Sequence, residues 1–321
     1  MLQIGYTLMC EQSAPAALVA DAVRAEEVGF SFEVMSDHLF PWLESQGHSP
    51  AAWPLLGAVA QATSRVELMT YVTCPSFRYH PVVIAQQAAT VSLLSGGRFT
   101  LGLGSGENLN EHVLAAGWPP FNLRHERFGE AVEIIQALLA GGYVNYAGKH
   151  FQVDSAKLWD LPVTPPPIAI AASGASSSEL AGRLGDALIA VQPDKAICER
   201  FDAAGGGGKP RIGQLPVCYD ADRDAAVARA HDQFRWFGGG WAINSELPGT
   251  AAFAAASQFV TPADVADAIP CGDDVSAVVA KAAEFADAGF THLALIQIGG
   301  EYQDEFLGWA EKELLPALER L

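Results

Sequence analysis

The sequence predicts an α/β protein of the (β/α)8, or TIM, barrel class, and three observations carry this prediction. Short apolar runs rich in β-branched residues alternate with amphipathic stretches along the chain, which is the pattern of a parallel sheet with crossover helices. Eight such runs can be counted, the number of strands in this barrel. Val28-Gly29-Phe30 and Ala288-Gly289-Phe290 repeat one connection, in which a glycine ends a helix and a short turn enters a strand.

The predicted strands and helices follow one another in regular order. Strands are expected at about 2–9, Phe32–Ser36, Val66–Thr73, Phe99–Leu103, Ile168–Ala172, Ala187–Val191, Ile212–Val217 and His292–Ile298. Helices are expected at about 15–28, 51–63, from Pro81 onward, 123–140, 176–184, between 191 and Gly205–Gly208, 221–235, 274–288 and 302–320. An open, doubly wound sheet is the alternative. It calls for G-x-G-x-x-G after the first strand, and Gly5-Tyr6-Thr7-Leu8 does not supply it.

One domain is expected over 1–321, interrupted by two insertions. Residues 141–167 are rich in aromatic residues, Gly and Pro, so they are interpreted as an excursion and not as a barrel unit. Residues 237–260 are rich in Gly and Ala, and an irregular segment that forms a lid or a second excursion is expected there.

Composition and net charge argue against several classes of function. Half of the 321 residues are hydrophobic and 17% are charged, so a large core can be buried. The net charge of −18 argues against nucleic acid and against an anionic membrane surface. Five cysteines are scattered without a C-x-x-C pair, which suggests reduced thiols. No secretion signal is recognised and no apolar run approaches the roughly 20 residues that span a bilayer, so a cytoplasmic protein is expected.

Two polar motifs follow predicted strands and carry most of the functional information. Ser-Asp-His-Leu-Phe-Pro-Trp occupies 36–42, and Gly-Leu-Gly-Ser-Gly-Glu-Asn-Leu-Asn-Glu-His occupies 102–112. The chemistry of an α/β barrel lies at the carboxyl ends of its strands, so these side chains are expected to converge there. The candidates are Asp37, His38, Trp42, Glu107 and Asn110. Histidine titrates near neutral pH and can exchange a proton with a substrate, whereas the structural alternative is a buried histidine beside a packed tryptophan.

Two other loops each allow two interpretations of their polar side chains. In Thr73–Pro81, the side chains of Arg78 and Tyr79 either touch a ligand or brace the loop. In Ala172–Ser178, small hydroxyl residues at a helix start either cap the helix or hold a phosphate. The spacing Glu-x-x-x-Glu-His at 107–112 is not interpreted as a metal site, because the metalloprotease order is absent.

At these motifs the chain resembles the luciferase-like flavin and deazaflavin oxidoreductases, in particular the group that contains the F420-dependent glucose-6-phosphate dehydrogenases. The resemblance spans nearly the whole chain and is strongest at Ser36–Trp42, Pro75–Gln86 and Gly102–Glu111. It implies a barrel with insertions, usually dimeric, that transfers a hydride between coenzyme F420 and a small alcohol or carbonyl compound.

The same resemblance assigns expected roles to individual residues. Asp37 would hold the deazaflavin ring system, and His38, Trp42 and Glu107 would line the reaction centre. An unusual cis peptide is expected at Tyr71-Val72. The remaining cofactor contacts implied by the resemblance are Cys74, Ser105, Gly106, Asn110 and, in the phosphate-binding loop, Ser173, Gly174, Ser176 and Ser177.

The chain departs from the dehydrogenase group at the expected substrate contacts, which leaves alternatives for the substrate and the cofactor. Lys195 is the expected substrate contact, but the Thr that accompanies it in the dehydrogenase is missing from Val191–Lys195. Ala263–Ile269 lacks the expected phosphate-binding Arg, so glucose 6-phosphate is not the expected substrate. F420-linked hydride transfer with His38 as the favoured base is the first hypothesis. An FMN-dependent monooxygenase or reductase, and a flavin or small-molecule binder without activity, are the alternatives.

Overall fold

A computed structural model describes residues 2–321, and its centre is a closed barrel of eight parallel strands. The strands are β1 Gln3–Leu8, β2 Phe32–Met35, β3 Glu67–Thr70, β4 Phe99–Leu103, β5 Val144–Ala147, β6 Gln152–Ala156, β7 Ile168–Ala171, β8 Ala187–Ile189, β9 Arg211–Val217 and β10 His292–Gln297. Neighbours around the barrel run β1-β10-β9-β8-β7-β4-β3-β2, which is sequence order once the two strands of a separate hairpin, β5 and β6, are set aside. The predicted (β/α)8 barrel is therefore confirmed.

Helices follow the barrel strands and pack outside them. The α-helices are Pro15–Val28, Ala52–Ala62, Pro81–Leu94, Asn108–Glu111, Phe121–Leu139, Ala175–Leu184, Lys195–Phe201, Arg223–Phe234, Trp241–Asn244, Gly249–Ala256, Pro262–Ala268, Val275–Ala288, Gln303–Trp309 and Leu315–Leu318. Short 3-10 turns lie at Glu44–Gln46, His112–Leu114, Arg235–Gly239 and Gly300–Tyr302, and π turns at Asp202–Gly206 and Ala310–Leu314. None of the helices within residues 2–321 is long and apolar enough to cross a membrane.

The barrel interior is filled by side chains from alternate strand positions. Phe32, Val34 and Met69 pack there with Ile189 and Ala294, in a cluster separate from the larger layer between strands and helices. Side chains of successive strand residues point to opposite faces, so an apolar run supplies both layers at once. Because the interior is filled, a ligand cannot bind inside the barrel. The site of this fold lies instead among the loops at the carboxyl ends of the strands.

The two insertions differ in structure. Residues 141–167 contain the antiparallel hairpin of β5 and β6, which forms a sheet separate from the barrel. Residues 237–260, which were expected to be irregular, contain the short helices Trp241–Asn244 and Gly249–Ala256. The alanine-rich second helix forms because it buries Phe253, whose ring meets the edge of Trp42 at a centroid distance of 5.1 Å. Tertiary packing thus orders a segment that has weak periodicity.

The closing helix is interrupted, in contrast to the continuous helix predicted over 302–320. Gln303–Trp309 is followed by a π turn over Ala310–Leu314 and a last helical turn from Leu315. Pro316 has no N–H to donate to the carbonyl of Lys312, and a proline inside a helix disturbs the preceding turn.

Candidate functional site

A cavity of about 440 Å³ opens at the carboxyl ends of the barrel strands. Its size is in the range of small-molecule and cofactor sites. Most of the sequence-predicted residues line it: Asp37, His38, Trp42, Tyr71, Val72, Cys74, Ser105, Gly106, Glu107, Asn110, Ser173 and Ser177. The two polar motifs, nearly 70 residues apart, therefore converge on one cavity.

A buried histidine between two carboxylates forms the polar centre of the cavity. His38 Nδ1 lies 3.0 Å from Glu11 Oε1, and His38 Nε2 lies 2.7 Å from Glu107 Oε1. Glu11 follows β1, His38 follows β2 and Glu107 follows β4, so the closed barrel brings the three side chains together at one end. Glu11 is 1% exposed, and Ser36 donates a hydrogen bond from its Oγ to Glu11 Oε2 at 2.6 Å.

The two carboxylates keep the imidazole protonated. Burial alone would lower the pKa of His38, but the charges of Glu11 and Glu107 and their hydrogen bonds outweigh it and raise the pKa well above its ordinary value. Burial would likewise raise the pKa of Glu11, yet the positive charge and hydrogen bond of His38 lower it overall. His38 therefore stays an imidazolium near neutral pH, with both nitrogens already directed at carboxylates.

Glu107 presents one carboxylate oxygen to the cavity. Its Oε1 accepts from His38 and also from Asn110 Nδ2, at 2.8 Å. Its Oε2 has no hydrogen-bond partner among residues 2–321. Asn110 Oδ1 accepts the backbone N–H groups of Leu39 at 2.8 Å and Phe40 at 3.2 Å, so this amide ties the loop after β4 to the loop after β2.

Asp37 is held by the protein itself in a second polar network. Thr73 Oγ1 donates to Asp37 Oδ2 at 2.7 Å, and Arg78 Nη2 lies 3.5 Å from Asp37 Oδ1. Arg78 also contacts Glu111, with its backbone N donating to Oε2 at 2.8 Å and its Nε lying 3.2 Å from Oε1. Tyr79 donates to Asp37 Oδ1 at 3.3 Å. Of the two readings for Arg78 and Tyr79, the loop brace accounts for these contacts.

The wall next to this network is shaped by backbone and small residues. The peptide bond between Tyr71 and Val72 is cis, as the resemblance implied. A Cβ at Gly104 would lie 2.6 Å from Val72 Cγ2, and one at Gly106 would lie 2.7 Å from Cys74 Sγ. Gly106 also has φ of +88°, a conformation that favours glycine. Glycine at these positions lets the loop lie against the Val72 wall. Burial raises the pKa of the Cys74 thiol to about 12, which disfavours the nucleophilic thiolate form.

The serine-rich loop lies at the mouth of the cavity, and some of its hydrogen-bonding groups bond to each other at the start of the following helix. Ser177 Oγ accepts the N–H groups of Ser173 and Gly174, both at 3.2 Å. Ser173 and Ser177 line the cavity, whereas Gly174 and Ser176 are not among the lining residues. This loop precedes the ten-residue helix Ala175–Leu184, whose N-terminus favours an anion.

Trp42 is part of an aromatic stack. Its ring lies 4.0 Å from that of Trp236 with an interplanar angle of 7°, and 5.0 Å from the His38 ring. Trp236 and its neighbours in the 234–246 segment form one wall of the cavity. The tryptophan thus links the imidazole to that segment.

Lys195 is not brought to the cavity. It is the first residue of helix Lys195–Phe201, its side chain is 72% exposed, and its Nζ pairs with Glu199 at 3.9 Å. Asp194 caps this helix and Lys195 is not among the residues that line the cavity, so its contact with a substrate stays a prediction.

Sequence reasoning missed Glu11, Arg124 and the aromatic wall at 234–246. Glu11 could have been found, since it is a carboxylate three residues past the first strand of a predicted barrel. Arg124 lies in the first turn of the long helix Phe121–Leu139, and its Nη2 is 2.7 Å from Glu246 Oε1, a contact between distant segments that no local pattern signals. Part of the aromatic wall lies in the insertion whose structure was not predicted.

Comparisons with known proteins give the family. The model of the luciferase-like monooxygenase family matches residues 3–292. An F420-dependent glucose-6-phosphate dehydrogenase of Beutenbergia cavernae is 37% identical over 339 residues, covering 99% of this chain and 98% of its own. An F420-dependent hydroxymycolic acid dehydrogenase of Mycobacterium tuberculosis is 39% identical over 244 residues, covering 74% of this chain and 68% of its own.

A solved structure agrees with this assignment over the whole fold. An F420-dependent secondary alcohol dehydrogenase in complex with an F420-acetone adduct superposes with a TM-score of 0.89 and 27% identity, covering 99% of both chains. The barrel, the site at its carboxyl end and the family match over most of the sequence agree, and the chain belongs to the luciferase-like monooxygenase family.

Proposed function

We propose that this protein is an F420-dependent oxidoreductase that transfers a hydride between the cofactor and a small alcohol or carbonyl compound. The observation that carries the proposal is the chain of Glu11, His38 and Glu107, which leaves one carboxylate oxygen open on a cavity of cofactor size. A protein that only binds a ligand has no need of a proton-transfer group held in this way. The F420-dependent relatives in the family support the choice of cofactor.

The residues present fit a deazaflavin. Gly104 packs against Val72 and Gly106 against Cys74, with no room for a side chain at either glycine, and this close-packed wall suits a flat ring system. Ser173 and Ser177 would receive the phosphate-bearing tail at the mouth, near the helix N-terminus. When bound, F420 would supply the acceptor or donor of a hydride at its ring.

The chain's own residues manage the proton. Glu107 accepts the hydroxyl proton of the alcohol through its open Oε2, because His38 is already protonated and cannot accept another. The imidazolium holds the orientation of Glu107 and balances its charge, and Glu11 fixes the other side of the ring at 3.0 Å. Carbonyl reduction uses the same groups in reverse. This assignment replaces the expectation that His38 is the base.

The test compares two site variants with a surface control. His38→Ala and Glu107→Gln are expected to bind F420 within about threefold of the wild-type Kd but to lose at least about 100-fold in kcat, the usual contribution of a positioned acid or base. Glu301→Gln, at an exposed position, controls for loss of one charge. Wild-type kcat in His38→Ala or in Glu107→Gln would remove that residue from the mechanism.

The family resemblance also leads us to propose a homodimer. Analytical ultracentrifugation of the purified chain tests this directly, and a monomer at working concentration would contradict it.

A further inference from the structure

The wall of the cavity beyond the proton-transfer residues is aromatic and extends to the mouth. It is lined by Phe234, the last residue of the helix after β9, and by Trp236, Phe237 and Trp241, which follow it in the chain. The wall is continuous with the reaction centre, because Trp236 stacks on Trp42, which in turn packs against the His38 ring.

The charges of the cavity do not suit an anionic substrate. Its carboxylates are Glu11, Asp37, Glu107, Glu111 and Glu246, against two arginines and the His38 imidazolium. Both arginines are already paired, Arg78 with Asp37 and Glu111, and Arg124 with Glu246 at 2.7 Å. Among residues 2–321, no lysine lines the cavity. A phosphate placed in this inner part would meet excess negative charge in a poorly solvated site.

Two aromatic side chains at the mouth remain open to solvent. Trp241 is 43% exposed and Phe121 is 44% exposed, although both line the cavity. Covering apolar surface contributes about 25 cal/mol per Å², so these rings favour a ligand with an apolar surface at that end. Tryptophan in particular offers a large flat contact area.

We propose that the substrate of this oxidoreductase is an uncharged secondary alcohol, or the matching ketone, with a bulky apolar and preferably aromatic group. This inference rests on the proposed function. The apolar group lies against Trp236, Phe237 and Trp241, and the carbinol lies beside Glu107. In the oxidation, the carbinol C–H bond would break and its hydrogen would leave as a hydride, for which F420 would be the acceptor when bound. The O–H proton goes to Glu107, and the carbon–oxygen single bond becomes the ketone double bond.

The first experiment compares 1-phenylethanol, 2-propanol and glucose 6-phosphate as reductants of F420, followed by loss of the deazaflavin absorbance. The expected kcat/KM for 1-phenylethanol exceeds that for glucose 6-phosphate by at least about 100-fold, and that for 2-propanol by at least about 10-fold. A kcat/KM for glucose 6-phosphate equal to or above that of 1-phenylethanol would overturn the inference.

The second experiment places the apolar group on the wall. Trp241→Ala is expected to raise KM for 1-phenylethanol about 10-fold, and KM for 2-propanol much less. Trp159→Ala is the matched control, since Trp159 is 77% exposed and is not among the lining residues. Equal effects of Trp241→Ala on both alcohols would contradict the wall as the binding surface.

A third measurement separates failure of this inference from failure of the proposed function. Saturation-transfer NMR of acetophenone with the free protein requires no cofactor, and glucose 6-phosphate serves as the comparison ligand. Acetophenone binding that weakens in Trp241→Ala supports the aromatic site, even if a separate titration shows that F420 does not bind and the proposed function fails. Binding of F420 without binding of acetophenone would overturn this inference and leave the proposed function standing.

Discussion

Replacing Glu11 with glutamine tests how the site keeps His38 charged. The substitution removes one negative charge 3.0 Å from the imidazole and keeps an oxygen that can accept its N–H. With an effective dielectric constant of about 20 and charge centres about 4 Å apart, the lost attraction is about 4 kcal/mol. Without this attraction only Glu107 opposes the effect of burial, so the pKa of His38 is expected to fall markedly in the variant.

The sign of the pH dependence follows from the two shifts. The pKa of His38 is raised on folding, so its contribution to stability is present below the pKa of the unfolded histidine and is lost as pH rises through the folded pKa. The pKa of Glu11 is lowered, so its contribution is present above the unfolded value and is lost as pH falls through the folded one. The contribution of this pair to stability is therefore largest across neutral pH, and Glu11→Gln loses the alkaline part of that range.

The assay is an NMR titration of the His38 Cε1–H resonance, assigned by its absence in His38→Gln, together with urea unfolding at several pH values. Glu11→Gln should lower the titration midpoint of His38. It should also lower the free energy of unfolding at neutral pH by about 3 kcal/mol. Glu27→Gln, which removes a charge from a side chain that is 61% exposed, should change neither. A His38 midpoint that is the same in Glu11→Gln and wild type would refute the reasoning.

Three other substitutions test the fold around the site. Burial raises the pKa of Asp21 to about 7, so its ionisation costs stability as pH rises from about 4 to 7. Asp21→Asn should therefore raise Tm at about pH 8 by the equivalent of about 1–2 kcal/mol and leave Tm at about pH 4 unchanged. Equal shifts of Tm at both pH values would contradict this. Asn110→Ala frees Glu107 and removes the acceptor of two backbone N–H groups, those of Leu39 and Phe40, which should cost about 1–3 kcal/mol in urea unfolding and lower kcat at least about 10-fold; an unchanged kcat would exclude its positioning role. Phe253→Ala opens a cavity beside Trp42 and should cost about 3–5 kcal/mol, so a loss below about 1 kcal/mol would show that the second insertion is not packed as described.

The barrel could be predicted because each of its strands carries its own local signal. Phe99–Leu103 has the same bounds in prediction and structure, since a buried apolar run ends at a glycine-rich loop. The convergence of His38 and Glu107 followed from the same premise, as both come directly after strands of one closed barrel. The closed topology supplied the spatial relation that sequence distance concealed.

The protonation state of His38 could not be predicted in this way. The ordinary pKa of histidine made it the favoured base, whereas the observed environment depends on Glu11, 27 positions earlier in the chain. Lys195 has a suitable charge and follows the predicted sixth strand, but its side chain is 72% exposed and is not part of the cavity lining. Local sequence gives residue type and strand end, and only tertiary packing decides which groups touch.

The aromatic wall lay beyond local prediction for a related reason. The helix Gly249–Ala256 and the contact between Trp236 and Trp42 stabilise each other, so neither has a signal alone. The lid or excursion expected over 237–260 instead contributes Trp241 and its neighbours to the cavity lining.

The most direct test of the account is a cofactor titration of the purified wild-type protein, with F420 and FMN in separate arms and binding followed by fluorescence. The account predicts saturable binding of one F420 per chain, with FMN at least about 100-fold weaker. Tight binding of FMN without measurable affinity for F420 would contradict it and favour the monooxygenase chemistry of the wider family.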